Sequence, residues 1–192
     1  MSHDSAASKL GGMTITTTHI REIALRSIEL MADGSREDFD EYIHPDFLNH
    51  EAKDEPPAAR GRGPAACWAT AVWLREAYSD LHWEIHDVVD NGNLVVVHCT
   101  MSGRHAGPFV TYDADGVKRV FPPTGKTFAS TQTHWLRVHE DKLIEHWANR
   151  DDMGTAEQLG WIPPSPLFLL RSEIATRKAR RVSRPRPHDK VT

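Results

Sequence analysis

The sequence predicts an α+β fold, with helices packed on one face of a curved antiparallel sheet. Three observations carry this expectation. Apolar residues recur at helical spacing in the first eighty residues, at Ile20, Ile23, Ile28 and Met31 and again at Trp68, Val72 and Leu74. From Leu81 the pattern changes to strict alternation. Turn signals such as Asp90-Asn91-Gly92-Asn93 then separate one alternating run from the next.

Taken in order, residues 1 to about 16 are small and polar and read as a disordered leader. Thr17 or Thr18 caps a first helix with Glu22 in its first turn, and Gly34 ends it. A short second helix spans about Glu37 to Ile43, before Pro45. Pro56, Pro57, Gly61, Gly63 and Pro64 mark a long loop, and a third helix runs from about Ala65 to Tyr78. Leu81 to Val89 and Leu94 to Met101 form a hairpin. Gly103 to Gly116 reads as a loop or irregular hairpin. Phe128 to Val138 and Leu143 to Ala148 are strands joined by the His139–Lys142 turn, and a helix from Met153 to Leu159 stops at Gly160. After Pro166, Leu167, Leu170 and Ile174 share one face of a short amphipathic helix that runs into a basic tail. The expected organisation is a leader (1–16), one domain (17–164) and an amphipathic helix with basic tail (165–192).

Composition sets the outer bounds. With 192 residues, 39% of them hydrophobic, the chain can bury one sizeable core. No apolar run approaches the 18 residues of a membrane span, and Met1 to Thr18 lack the apolar centre of a secretory signal, so the cytoplasm is the expected compartment. Cys67 and Cys99 are the 2 cysteines, stand in no C-x-x-C pair, and read as buried thiols. The net charge of −4 is uneven. Eight basic and two acidic residues from Pro166 onward leave an acidic body, which argues against nucleic-acid binding by the folded domain.

Several motif readings fail on spacing. Pro123-Thr124-Gly125-Lys126-Thr127 ends like a phosphate-binding loop, but the required earlier glycine is Val120. His50-Glu51 is not followed by a second histidine, since position 54 is Asp54, and no His/Cys spacing fits a metal site. No G-x-S-x-G elbow supplies a serine nucleophile.

The informative segment is Ser130-Thr131-Gln132-Thr133-His134. Strand parity puts Gln132, His134 and Leu136 on one face, with Ile144, His146 and Ala148 on the facing strand. His98, on the parity of Leu94 and Val96, is expected to join them. Such a set on a half-apolar wall suits proton transfer or the orientation of a carbonyl substrate; the alternative is a solvated histidine face. Trp135 and Trp147 lie on the opposite parity, where a dimer interface or a covering helix would take them.

At these residues the chain resembles the SnoaL-like polyketide cyclases of the ester cyclase branch, over about residues 17–164. Tyr42-Ile43-His44-Pro45-Asp46-Phe47-Leu48-Asn49-His50 is similar to the family's early H-P-D-x-x-x-H segment. Asp80 to Ile85, Gly103-Arg104-His105-Ala106-Gly107, Pro123 to Lys126, and Glu145-His146-Trp147 with Asp151 and Gln158-Leu159-Gly160 resemble later family segments in the same order. The resemblance implies the cone-shaped nuclear transport factor 2-like fold, intramolecular aldol closure of a polyketide methyl ester, no metal and no organic cofactor, and frequent homodimers. The family's catalytic aspartate follows the H-W pair; here that position is Ala148. Asp151 and Asp152 are the nearest carboxylates, as catalytic groups or as a helix N-cap before Met153.

The expected function is therefore a cofactor-independent cyclase or isomerase acting on a small hydrophobic carbonyl or ester compound. The candidate catalytic residues are His134, His146 and Asp151. Gln132, Asn49, His50, His98, Trp147 and Asp152 are the candidate substrate contacts. The alternatives are a binding protein that kept the cone without the chemistry, and an interaction module working through its basic tail.

Overall fold

Helix α1 (Thr17–Asp33) turns Ile20, Ile23, Ala24 and Ile28 into the core, and the Ser27 hydroxyl is satisfied by the Ile23 carbonyl at 2.7 Å. In this computed structural model, residues 17–183 are described; the expected leader (1–16) and the end of the basic tail (184–192) lie outside the described residues. Helix α2 (Arg36–Tyr42) opens on a capping box. The Ser35 hydroxyl accepts from the Asp38 N–H, and the Asp38 carboxylate accepts from the Ser35 N–H at 2.7 Å. Helix α3 (Gly63–Ala77) buries Ala66, Cys67, Thr70 and Ala71, and Pro64 stands in its first turn, where a missing N–H is harmless. Both cysteines are free and buried.

The main sheet holds β1 (Ile43–Asn49), β2 (Tyr78–Asn91), β3 (Leu94–His105), β6 (Thr127–His139) and β7 (Lys142–Arg150) in the order β1-β7-β6-β3-β2. Four strands form the expected antiparallel meander. The fifth is a correction: β1 follows α2 directly and pairs parallel to β7 at the sheet edge, with a register irregularity between Ile43 and Leu48. Pro45, which cannot donate to a ladder, is tolerated there.

The stretch expected as a loop or irregular hairpin contains β4 (Phe109–Asp113), which pairs with β5 (Gly116–Phe121) as a separate two-stranded sheet. Helix α4 (Asp152–Leu159) ends on Gly160 at φ 73°, a left-handed cap. Helix α5 (Pro166–Val182) docks along the open edge of β5. Its Ser172 hydroxyl donates to the Val120 carbonyl at 2.6 Å, Thr176 accepts the Val120 N–H at 2.9 Å, and Arg180 donates to the Val117 and Lys118 carbonyls. These side chains satisfy backbone groups that a third strand of this small sheet would otherwise take. The docking face is thus the hydroxyl face. The apolar stripe of Leu167, Leu170 and Ile174 is exposed.

The β3–β4 connection rests on one close approach. Ala106 and Gly107 both donate N–H groups to the Ala77 carbonyl at 3.0 Å, and a Cβ at Gly107 would lie 1.9 Å from the Glu76 carbonyl oxygen. Gly107→Ala is expected to lower stability by roughly 1–3 kcal/mol. Gly61→Ala meets only ordinary contacts, 3.7 Å and beyond, and should stay within about 0.5 kcal/mol of wild type. Urea denaturation midpoints of the two variants check this.

Candidate active site

The concave face of the sheet, α1 and α3 enclose a cavity of about 340 Å³, a size suited to a small organic ligand. Aromatic and aliphatic side chains form most of the wall, among them Phe47, Trp83, Phe109, Phe121 and Leu136. Register explains which polar groups reach it. His134 pairs with Val97 on β3 and Ala148 on β7, and Leu136 pairs with His146, so Gln132, His134 and His146 all face the core side. Asn49, paired with His146 at the end of β1, closes the row.

These four residues form one hydrogen-bonded chain. Asn49 Oδ1 lies 3.0 Å from His146 Nδ1, His146 Nε2 lies 2.9 Å from His134 Nδ1, and His134 Nε2 lies 2.9 Å from Gln132 Oε1. The other Gln132 amide atom contacts the Met101 sulfur at 3.2 Å. Burial holds the His134 pKa down at about 4, and the Arg150 cation adds to the effect. His146 is held well below its ordinary value by burial, then by His134, Arg150 and His50. Both rings are neutral at pH 7.

Neutrality fixes the protons. Asn49 Oδ1 already accepts the Glu51 N–H at 3.0 Å, so His146 Nδ1 must be the protonated nitrogen that donates to it. His146 Nε2 is then bare and accepts from His134 Nδ1–H. That leaves His134 Nε2 bare, and it requires the NH2 end of Gln132. With the Gln132 oxygen there instead, the ring pair must carry one extra proton. Gaining or losing that proton is therefore coupled to turning one amide.

Beyond Asn49 stands a carboxylate that the sequence reading missed. Glu55 is only 4% exposed and lines the cavity. It accepts from Asn49 Nδ2 at 3.2 Å and from the Thr70 hydroxyl at 2.5 Å. Burial pushes its pKa up, against the Thr70 hydrogen bond, the Arg150 cation and the Asn49 hydrogen bond. Arg150 itself, two residues beyond Ala148 on the inward parity, also lines the cavity.

Several expected site residues stand elsewhere. His98 is corrected: it pairs with Thr133 on the outer face, because the inward residues of β3 are Val95, Val97, Cys99 and Met101. Its Nδ1 lies 3.2 Å from the Gln132 carbonyl oxygen. His50 and Trp147 are corrected too. They stack on each other outside the cavity, ring centroids 4.4 Å apart, since Trp147 has the parity opposite to His146. Ile144 does not share the His146 face, because a bulge between Arg137 and Val138 turns Leu143 inward instead. Asp151 is the N-cap of α4: its carboxylate accepts the Gly154 N–H at 2.8 Å and does not line the cavity. Asp152 does line it, at an exposed position 3.5 Å from Arg150 Nε.

Among the described residues, one group has metal-ligand spacing: His44, His139 and Glu140, apart from the cavity. It fits a cation poorly. His44 Nδ1 accepts the Asp46 N–H at 3.0 Å, so a neutral His44 carries its proton on the Nε2 that faces Glu140.

A cone of helices over a curved sheet, with a polar row on its inner wall, defines a class, and the comparisons agree with it. Residues 21–159 match the SnoaL-like polyketide cyclase family, and the chain belongs to that family. It is 32% identical over 146 residues to the aklanonic acid methyl ester cyclase DnrD of Streptomyces peucetius, covering 76% of this chain and 93% of that one. It is 31% identical over 128 residues to the nogalonic acid methyl ester cyclase of Streptomyces nogalater, covering 66% and 87%. Among solved structures, TsrD from Streptomyces laurentii superposes with a TM-score of 0.62 at 20% identity, over 76% of this chain and 98% of that one. These likenesses confirm the α+β cone expected from the sequence.

Proposed function

We propose that this protein is a polyketide cyclase that closes a ring in a small hydrophobic ester by acid/base catalysis. The observation that carries the reading is the buried row Gln132–His134–His146–Asn49 on the wall of an otherwise apolar cavity. Proton loss next to a carbonyl builds negative charge on the carbonyl oxygen. Fixed N–H donors in a water-poor site stabilise that charge far better than water does. With both ring N–H groups committed inside the row, the donor is the Gln132 amide, whose NH2 holds a second N–H beyond the one given to His134. Aldol closure is redox-neutral: a C–H bond and the π bond of the attacked carbonyl are exchanged for a C–C and an O–H bond, and no atom is lost.

The relatives act, by their names, on aklanonic and nogalonic acid methyl esters. Those esters are therefore the first substrates to try. Incubation with each, followed by chromatography and mass spectrometry, is expected to give a product of unchanged mass and new retention time, at a rate above buffer alone. Tight binding with no product would favour the second reading, a binding protein on the same cone. Ala148 is the observation behind that alternative, since the inward positions of β7 hold no carboxylate. Pairing of two copies through the outer sheet face, where Trp135 is 39% exposed, belongs to the same proposal.

A further inference from the structure

We propose that Glu55 is the acid/base of this site, the group that takes the substrate's carbon-bound proton and returns it to the newly formed alkoxide. The inference rests on the cyclase reading above and supplies the carboxylate that β7 lacks. The inward positions of that strand carry His146, Ala148 and Arg150. Glu55 reaches the same wall from the irregular segment after β1, and one amide holds the two parts in register. Asn49 Nδ2 donates to Glu55 Oε1 at 3.2 Å while Asn49 Oδ1 accepts from His146. The Thr70 hydroxyl, 2.5 Å away on α3, fixes the other carboxylate oxygen. A carboxylate so buried is unusual unless paired, and the Glu55 carboxylate has no salt bridge among the described residues: Arg60 donates to its backbone carbonyl, and Arg150 acts on it only through space.

The step balances. The carboxylate forms an O–H bond as the substrate C–H bond breaks, and the electron pair passes into an enolate whose oxygen faces the His134–Gln132 end. The enolate carbon attacks the second carbonyl, forming the C–C bond. The resulting alkoxide takes the proton from Glu55, which returns to carboxylate. Burial raises the Glu55 pKa above its ordinary value, which makes it a stronger base, and the Thr70 hydrogen bond limits the rise.

Three proteins test this with the ester that wild type converts fastest. Glu55→Gln is expected to lose about 10²–10⁴-fold in kcat while binding the ester within a fewfold of wild type. Thr70→Val removes a hydrogen bond that favours the ionised form, so the acid limb of the kcat/KM profile should move to higher pH. A merely structural Thr70 would change thermal stability and leave that limb in place. Wild-type turnover in Glu55→Gln, or an unmoved acid limb in Thr70→Val, overturns the assignment and leaves the cyclase reading standing. No turnover of either ester by wild type overturns both.

Discussion

His146→Leu is expected to lower kcat/KM by about 10²–10⁴-fold while leaving the fold intact. The size of the effect follows from position. His146 is the middle link of the row: it receives the His134 proton at 2.9 Å and gives its own to Asn49 at 3.0 Å. Leucine fills similar space but ends the chain, so His134 loses the acceptor that fixes its tautomer. Asn49 is then held only by Glu51 and Glu55. His98→Leu is the matching control. It removes a histidine from the outer face of the same sheet and should leave kcat/KM within about twofold of wild type. Steady-state kinetics of the two variants, with circular dichroism to confirm folding, decide between a relay and a collection of structural histidines.

Acid should destabilise the protein earlier and more steeply than its carboxylates alone would make it. Three buried histidines refuse protons in the folded state. Burial holds His134 and His105 at about 4 and keeps His146 well below its ordinary value. An unfolded histidine titrates near 6.5. Between those values the unfolded chain binds protons that the folded chain does not, so stability is full above pH 6.5 and falls as the pH drops toward 4. At about 1.4 kcal/mol per pKa unit, one such histidine removes roughly 3 kcal/mol by pH 4. His134 and His105 together remove roughly 6 kcal/mol, already within the whole stability of a typical domain, about 5–15 kcal/mol, and His146 acts in the same direction. Glu55 works in the opposite sense. Its raised pKa contributes stability at low pH that is lost as the pH rises through that value, so it softens the acid limb without reversing it. The urea midpoint should therefore drop sharply between pH 7 and pH 4.5. His105→Phe tests the cause. His105 lies in an aromatic nest with Tyr78 and Trp161, at centroid distances of 5.8 and 5.2 Å, and far from the relay in sequence. Phenylalanine there should flatten the acid limb, and an unchanged pH dependence would contradict the account.

Period-two alternation carried most of the site. It put Gln132 and His134 on one face of β6 and His146 on the facing strand, and the pairing of Leu136 with His146 beyond the bulge brings those side chains together. The same rule was available for Arg150, which lies four residues beyond His146, but the strand was expected to end at Ala148 and in fact runs to Arg150. His98 went to the wrong face for a reason visible in the residues. Val95, Val97, Cys99 and Met101 make a wholly apolar row, and the row of Leu94, Val96 and His98 becomes polar toward its end. The apolar row takes the core. Asp151 was open between catalyst and cap, and the cap geometry holds it. Glu55 was illegible, since the segment between β1 and α3 has no period to give a side chain direction. Only the tertiary approach of Asn49 and Thr70 turns it inward.

The central claim is that this cavity removes a proton from carbon next to a carbonyl. The most direct measurement incubates the protein with aklanonic acid methyl ester in deuterium oxide and follows label at the acidic carbon by mass spectrometry. Deuterium on carbon reports C–H cleavage that returns to the ester, and cyclised product reports cleavage followed by ring closure. Protein-dependent incorporation of deuterium, faster than in buffer and lost in His146→Leu, is the predicted result. A complex that forms and is saturable, yet incorporates no deuterium above the buffer rate and yields no cyclised product, would contradict the claim and leave a binding protein in its place.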